Sequence, residues 1–366
     1  MENARTRNSS IELLKIFAMF GIVLCHILSS YAGATVSLSA VTTEPLRFIM
    51  VLIMHLGAFG NNIFIIGSAW FLIDTDKVSN KKCVGMWGDM LFFSVSVLLC
   101  FWGLGCDIPK ALIIQQFLPL SFGPWFILCY LLFYIVHPYL NCIINSISQR
   151  QLLILNIFFI IFYGFVSCVI PYQQLYYTNL VGFIGVYFLT AYVKKYLVQY
   201  SNSIKCNLIG FTIGSIGLIA LLLLHNVLGL LTGFATGKLL MWNAFKNPFI
   251  VLQAMCIFNL FRKKEFYTKT INVISSVMMI VFIVHHNNLV RIYLYPYFND
   301  FILGFSEKLH ILGVFIIATI VFLISTLIGL VYRMSLQKII KKVAEKITVV
   351  FECVGNKIVD VALKLK

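Results

Sequence analysis

Residues 11–31 read IELLKIFAMFGIVLCHILSSY, an almost wholly apolar stretch interrupted by Glu12, Lys15 and His26. Its length and composition predict a membrane-spanning helix. Lys15 and His26 are close to three helical turns apart, so both lie on one face, roughly 16 Å from each other along the axis. Glu12 precedes Lys15 by one turn on the same stripe. Polar groups in hydrocarbon are costly, and the stripe therefore predicts a site inside the membrane.

The composition of the whole chain excludes a soluble protein. Of its 366 residues, 60% are apolar and 11% are charged, and the mean hydropathy is +0.94. The net charge of +15 comes from short basic clusters between hydrophobic runs, a pattern that indicates membrane topology rather than nucleic-acid binding. The sequence therefore predicts an all-α, polytopic membrane helix bundle, with the lipid bilayer as a partner and no nucleic acid.

About ten hydrophobic segments are candidate transmembrane helices. They cover approximately residues 11–31, 47–73, 87–106, 122–142, 151–170, 178–198, 207–225, 246–261, 271–295 and 308–333. The segment 226–245 is also apolar but contains three glycines, so it is either re-entrant or an extension of the seventh helix.

The distribution of basic residues predicts that both chain ends are cytoplasmic. With ten spans, the clusters near residues 5–15, 77–82, 194–205 and 262–269 fall on the same side as the tail. The opposite side holds only Arg47, Lys110, Lys238, Lys246 and Lys308. Positive residues are enriched on the cytoplasmic side of membrane proteins, so we expect an N-in, C-in orientation.

The chain divides into residues 1–334, a transmembrane domain, and residues 335–366, a basic amphipathic cytoplasmic tail. In the tail, Ile339, Val343 and Ile347 recur at helical spacing among lysines. Such a helix either lies on the cytoplasmic leaflet or is a solvated tail that only sets topology.

The first helix also carries a resemblance to a known family. The stretch Arg7-Asn-Ser-Ser-Ile-Glu12-Leu-Leu-Lys15, followed by ten residues and His26, resembles the N-terminal signature of the acyltransferase-3 family. These are integral membrane acyltransferases that modify cell-surface sugars and lipids. Residues 61–72, 124–141 and 274–291 resemble later family motifs, in the same order along the chain. The resemblance spans most of residues 7–333.

This resemblance implies a membrane O-acyltransferase of the bacterial cell membrane. It would move an acyl group, usually acetyl, from acyl-coenzyme A to a hydroxyl of a cell-surface polysaccharide or lipid-linked sugar. Histidine suits the role of general base because its ordinary pKa is near neutral pH, and His26 is the candidate. Lysine is a suitable partner for the phosphates of the acyl donor. No metal is expected, because the histidines and carboxylates lack ligand spacing.

The candidate site residues fall into three groups. The catalytic group contains His26, Glu12 and Lys15, although Glu12 has an equal alternative as a simple ion-pair partner of Lys15. The acyl-donor group contains Lys15, Lys81, Lys82 and Ser68. The acceptor group contains Asn61, Trp125, His285, Asn287 and Arg291; some of these, with Ser68, are also candidate donors to the oxyanion of the tetrahedral intermediate.

Two other classes of function use the same intramembrane polar residues. A secondary transporter fits the ionisable side chains and the helix count, but the sequence lacks an inverted repeat or paired broken helices. A polysaccharide polymerase or flippase would use the charges to bind an anionic lipid carrier. Those proteins are expected to have larger outer loops or more spans than this chain.

Overall fold

A computed structural model describes residues 7–166, 168, 179–234 and 236–364 of the chain. All regular elements within these ranges are helical. The α-helices are α1 Ser9–Thr35, α2 Pro45–Leu72, α3 Asn80–Gly103, α4 Lys110–Phe117, α5 Pro119–Phe122, α6 Trp125–Ser146, α7 Gln149–Phe158, α8 Asn179–Tyr196, α9 Val198–Asn202, α10 Ile204–Thr232, α11 Pro248–Lys263, α12 Lys269–Ser275, α13 Met278–His285, α14 Asn288–Tyr293, α15 Tyr295–Leu303, α16 His310–Ser335 and α17 Gln337–Lys364. A π-helix, Phe159–Val166, continues α7, and 3-10 turns cover Leu239–Asn243 and Glu307–Leu309.

The described residues contain eight helices that are long and apolar enough to cross a membrane, or nine if one bent pair is a single span. The chain is accordingly a multi-pass, all-helical membrane protein. The expected count of about ten is not confirmed. Helix α8, at the predicted span 178–198, is not among these helices, and it carries Lys194 and Lys195 in its last turn. Residue 178, and residues 167 and 169–170 of the fifth predicted span, lie outside the described residues.

The glycine-containing segment 226–245 is an extension of the seventh predicted helix over its first part. Helix α10 continues to Thr232 and ends at Gly233, whose φ of 70° is the left-handed conformation that favours glycine. Asn226 ties this extension to the loop after α1, because its side chain accepts from the Thr42 amide at 2.8 Å and donates to the Thr42 carbonyl at 2.7 Å. The chain then returns through the 3-10 turn to α11.

Helix α1 packs most extensively against α2, and glycines of α2 permit the close approach. A Cβ atom at Gly60 would lie 2.5 Å from the carbonyl oxygen of Ala18 and 2.8 Å from Ile22. A Cβ at Gly57 would lie 2.6 Å from the sulfur of Cys25. Small residues at a helix contact let backbones approach in membranes, where burial of apolar surface gives little driving force. The packing fixes the face of α1 that carries Lys15 and His26.

The ninth predicted span is broken at His286 and Asn287. The helical segments before and after the break, Lys269–His285 and Asn288–Leu303, are bent by 57°. The Asn287 side chain accepts from the amide of Leu289 at 2.9 Å and so caps the first turn of α14. The hydroxyl of Tyr295 donates to the carbonyl of His285 at 2.9 Å, which satisfies a backbone group that the break leaves free.

The tail forms the long helix α17, as its periodicity predicts. It packs along the beginning of α3, where Glu345 pairs with Lys81 and Glu352 accepts from Asn80 at 2.8 Å. Ile339 and Val343 point away from the bundle and are exposed. The apolar stripe predicted from the sequence is therefore only partly used for contact with the rest of the protein.

Candidate active site

The break in the ninth predicted span brings two histidines to the histidine of α1. Nδ1 of His26 lies 2.9 Å from Nε2 of His285, and the His26 and His286 ring centroids are 4.5 Å apart. His285 is only 1% exposed, whereas His26 and His286 are half-buried. We call these three residues the histidine cluster. Both histidines of the ninth predicted span thus lie beside His26, at the point where the chain bends between α13 and α14.

The hydrogen bonds of His285 decide which nitrogen of His26 carries a proton when both rings are neutral. Nδ1 of His285 lies 2.6 Å from the carbonyl oxygen of Val281, which can only accept, so this nitrogen donates. Nε2 of His285 then has a lone pair and accepts from Nδ1 of His26. The remaining nitrogen of His26, Nε2, is left with a free lone pair. This is the tautomer that a general base requires.

A large cavity of about 1570 Å³ runs along α1 toward this cluster. Its lining includes Glu12, Lys15, Met19 and Ile22, which follow one stripe of the helix. His26 is the next residue on the same stripe, one turn beyond Ile22. The cavity therefore connects the predicted ion pair at the start of α1 with the neighbourhood of the histidine cluster.

The Glu12–Lys15 ion pair predicted from the sequence is present. Nζ of Lys15 lies 3.0 Å from Oε1 of Glu12, and Oε2 of Glu12 accepts from the Ser275 hydroxyl at 2.5 Å. Both carboxylate oxygens are thus engaged, while Lys15 remains on the cavity wall. This arrangement supports the interpretation of Glu12 as a partner that holds Lys15 and α12, rather than as a group that reacts.

Basic side chains outnumber acidic ones on the cavity wall. Lys15 and Lys82 line it as expected, but Lys81 does not, because its ammonium group pairs with Glu345 of the tail. Lys82 is held at the wall by tyrosines: its Nζ lies 3.3 Å from the Tyr130 hydroxyl and 4.1 Å from the Tyr134 ring centroid. The prediction of Lys81 as a donor ligand is therefore not supported by its position.

Three basic residues that sequence reasoning missed complete the charged end of the cavity. They are Arg7, Lys194 and Arg262. Lys194 pairs with Asp74 at 2.5 Å, and the Arg262 guanidinium lies 4.3 Å from the centroid of the Trp70 ring. These residues belong to basic clusters that the sequence assigned only to topology. Arg7 precedes α1, whereas Lys194 and Arg262 lie at the ends of helices far apart in the chain, so no local motif marks these two.

Phe282 separates the cavity from the histidine cluster. Its ring lines the cavity and is stacked on the His286 ring, with centroids 5.4 Å apart and an interplanar angle of 7°. It also approaches the His26 ring, at 6.0 Å, and meets Phe126 edge-on at 5.8 Å. Phe282 therefore stands between the cavity wall and the rings of His26 and His286. Nothing in the sequence distinguished Phe282 from the other apolar residues around it.

A second, much smaller space lies beside His286. This amide recess, of about 40 Å³, is lined by His286, Ser94 and the side-chain amides of Gln115, Gln116, Asn287 and Asn288. Asn287 donates to Gln116 at 2.9 Å, which joins the break to α4. None of these lining side chains apart from the histidine is ionisable, so the recess suits a neutral hydroxyl rather than an anion.

The other predicted site residues have different positions. Ser68 lines the large cavity. Trp125 stacks on Phe245 with centroids 5.9 Å apart, and it is not on the cavity wall. Asn61 has a buried side-chain oxygen without a hydrogen-bond partner among the described residues. Arg291 is exposed on α14, one turn after Asn287. The structure thus brings His285 and Asn287 to the histidine cluster or its recess, but not Asn61 or Trp125.

No protein-family profile, curated protein or solved structure matches this chain. Within the described ranges, no group of three or more His, Cys, Asp or Glu side chains is placed to hold a metal ion. What these residues can do therefore follows from the cluster, the cavity and the recess themselves.

Proposed function

We propose that this protein is a membrane O-acyltransferase in which His26 is the general base. It would transfer an acyl group, most simply acetyl, from acyl-coenzyme A to a hydroxyl of a cell-surface polysaccharide or lipid-linked sugar. The observation that carries the proposal is the hydrogen-bond chain from Val281 through His285 to His26, at the end of a basic cavity. This chain of hydrogen bonds leaves Nε2 of His26 with a lone pair. His26 lies one turn of α1 beyond Ile22, which lines a cavity large enough for an acyl donor.

The charged end of the cavity suits the anionic part of the donor. Arg7, Lys15, Lys82, Lys194 and Arg262 supply charge-assisted donors for phosphate groups. The apolar wall beyond Lys15 then accommodates the uncharged arm that carries the thioester. Met19 and Ile22 lead from the charged end toward His26, which suits a ligand that is charged at one end and reactive at the other.

The reaction needs two proton transfers, one to His26 and one from it. Nε2 of His26 takes the proton of the acceptor hydroxyl as that oxygen attacks the thioester carbonyl. The tetrahedral intermediate then breaks its carbon–sulfur bond, and the coenzyme A sulfur leaves with the proton from His26. His285 does not exchange protons with substrate in this scheme. It holds the His26 ring in the required tautomer through its own bond to Val281.

The amide recess suits the acceptor side. It lies next to His286, and its lining shares no residue with that of the large cavity, so a hydroxyl bound there would approach the cluster separately from the donor. The N-in, C-in orientation and a bacterial cell membrane belong to the same proposal. This orientation follows the bias of basic residues toward one side of the membrane. It would put the charged mouth of the cavity in the cytoplasm, where acyl-coenzyme A is found.

A secondary transporter is the second candidate, and the broken ninth span is the observation that favours it. Transporters place broken helices at a central binding site. However, they use such helices in corresponding pairs, whereas the described residues contain one bent pair of this kind. The acyltransferase proposal explains in addition why the histidine at the break is bonded to the histidine of α1.

Acyl transfer from radiolabelled acetyl-coenzyme A tests the proposal directly. Membranes that contain the wild type or His26→Ala are supplied with the host's surface glycans, and His55→Ala is the matched control because it removes a histidine of α2 outside the cluster. We expect label in the glycan with the wild type and the control, and a loss of about 100- to 10,000-fold with His26→Ala. Full transfer by His26→Ala at equal expression would overturn the role of His26. No transfer with any variant, together with solute flux in vesicles, would replace the proposal with the transporter.

A further inference from the structure

The tail helix α17 has two different long faces. Ile340, Ala344, Ile347 and Thr348 are partly or fully buried, on the face toward α3. About 100° around the helix, at 100° per residue, Ile339, Val343, Val350 and Val354 form a second stripe. These four residues are each at least 50% exposed, so nothing in the described structure covers them. We call them the open stripe.

Lysines border the open stripe on the side away from the bundle. Lys342 and Lys346 are both exposed and lie one turn apart, next to Val343 and Val350 on the helical wheel. The acidic residues Glu345 and Glu352 are on the far side of the helix, where they contact Lys81 and Asn80. Along residues 337–354, the charge next to the stripe is therefore positive, because Glu345 and Glu352 are engaged elsewhere.

The chain places this surface next to a membrane. Helix α16, one of the apolar helices long enough to span, ends at Ser335, and α17 begins at Gln337. The open stripe starts two residues later. An apolar stripe with lysines beside it, at the end of a spanning helix, has the chemistry of a segment that inserts between acyl chains while its lysines contact anionic headgroups.

We propose that the open stripe is a binding surface for anionic lipids of the leaflet next to the end of α16. Charge complementarity favours this occupant over a second copy of the chain, because two copies would bring the same lysines together.

Photo-crosslinking of the full chain in vesicles tests the proposal. A photoreactive phenylalanine analogue replaces Val350 in the open stripe or, as the control, Lys341 on the opposite side of α17. The vesicles contain either phosphatidylcholine alone or a mixture with phosphatidylglycerol. We expect lipid adducts at position 350 and few at position 341, and more adducts when phosphatidylglycerol is present.

Charge reversal separates the role of the lysines from the apolar contact. Lys342→Glu with Lys346→Glu should reduce the preference for phosphatidylglycerol at position 350 by about fivefold or more, since lysines near an anionic surface are attracted to it and glutamates are repelled. Lys341→Glu carries the same kind of change away from the stripe and should reduce it little. Adducts to a second protein chain, equal lipid labelling at positions 350 and 341, no adduct at either, or no effect of phosphatidylglycerol would each overturn the proposal.

Discussion

Nε2 of His285 lies 2.9 Å from Nδ1 of His26, although the two residues are 259 positions apart in the chain. The contact forms because α13 ends at His285 and the chain bends at the next two residues. Each ring nitrogen of His285 has one partner, Val281 on one side and His26 on the other. A single buried side chain thus determines both the orientation and the proton position of the proposed base.

Replacement of His285 should lower the rate of acyl transfer without weakening donor binding. We expect His285→Ala to reduce kcat by about tenfold to 100-fold, because His26 loses the acceptor that keeps its proton on Nδ1. His285→Gln retains an acceptor oxygen and should recover part of the loss. The check is steady-state kinetics with acetyl-coenzyme A varied. A change in KM alone, or an equal loss of kcat in His285→Ala and His285→Gln, would contradict a positioning role of His285.

Phe282 should control access of water to the histidine cluster. We expect Phe282→Leu to increase release of coenzyme A in the absence of acceptor, because a smaller side chain opens the cavity toward His26. Phe322→Leu is the control, since Phe322 packs edge-on against Phe20, at 5.6 Å, and is not on the cavity wall. Release of free thiol is measured with a thiol reagent. Unchanged release in Phe282→Leu would show that this ring is not the barrier.

The basic residues of the cavity wall should affect donor binding unequally. We expect Arg262→Ala to raise the KM for acetyl-coenzyme A about tenfold, because a charge-assisted bond to phosphate is lost. Lys81→Ala should leave it nearly unchanged, because Lys81 faces Glu345 instead of the cavity. The KM of both variants for acetyl-coenzyme A is measured at a fixed acceptor concentration. An equal or larger effect of Lys81→Ala would favour the original set of donor residues from the sequence.

Gly60 should be required for the contact of α1 with α2. A methyl group there would lie 2.5 Å from the Ala18 carbonyl, so Gly60→Ala must separate the helices. Overpacking of this kind costs about 1–3 kcal/mol, and we expect a lower melting temperature in detergent. Gly33→Ala is the matched control, because its Cβ would meet nothing within 4 Å. Equal melting temperatures of the two variants would mean that the helices adjust without cost.

The break at Asn287 should be sensitive to the loss of its cap. Asn287→Ala removes the bond to the Leu289 amide and the bond to Gln116. We expect a lower melting temperature, with a cost of about 1–2 kcal/mol from the cap, and weaker use of the acceptor. Asn288→Ala removes only a 3.4 Å contact with Gln115 and serves as the comparison for the melting temperature, because Asn288 also lines the recess. The variants are compared by thermal unfolding and by the KM for the glycan.

The sequence determined the membrane-helix class, the polar stripe of α1 and the Glu12–Lys15 pair. These depend on composition and on the helical repeat, which act over a few neighbouring residues. It also predicted the amphipathic tail helix. It predicted about ten spans, whereas the described residues contain eight, or nine with the bent pair, and the helix at the sixth predicted span, α8, carries two lysines in its last turn.

Only the tertiary structure decided which residues meet His26. The sequence marked His285 as a candidate ligand of the acceptor, but not as a partner of His26. Phe282, one turn before it, does not differ in sequence from the apolar residues around it. Arg262 joins the cavity wall while Lys81, which the sequence favoured, is drawn to Glu345 of the tail. The reason is physical: a helical repeat fixes the face on which a side chain lies, whereas its partner depends on how distant helices pack.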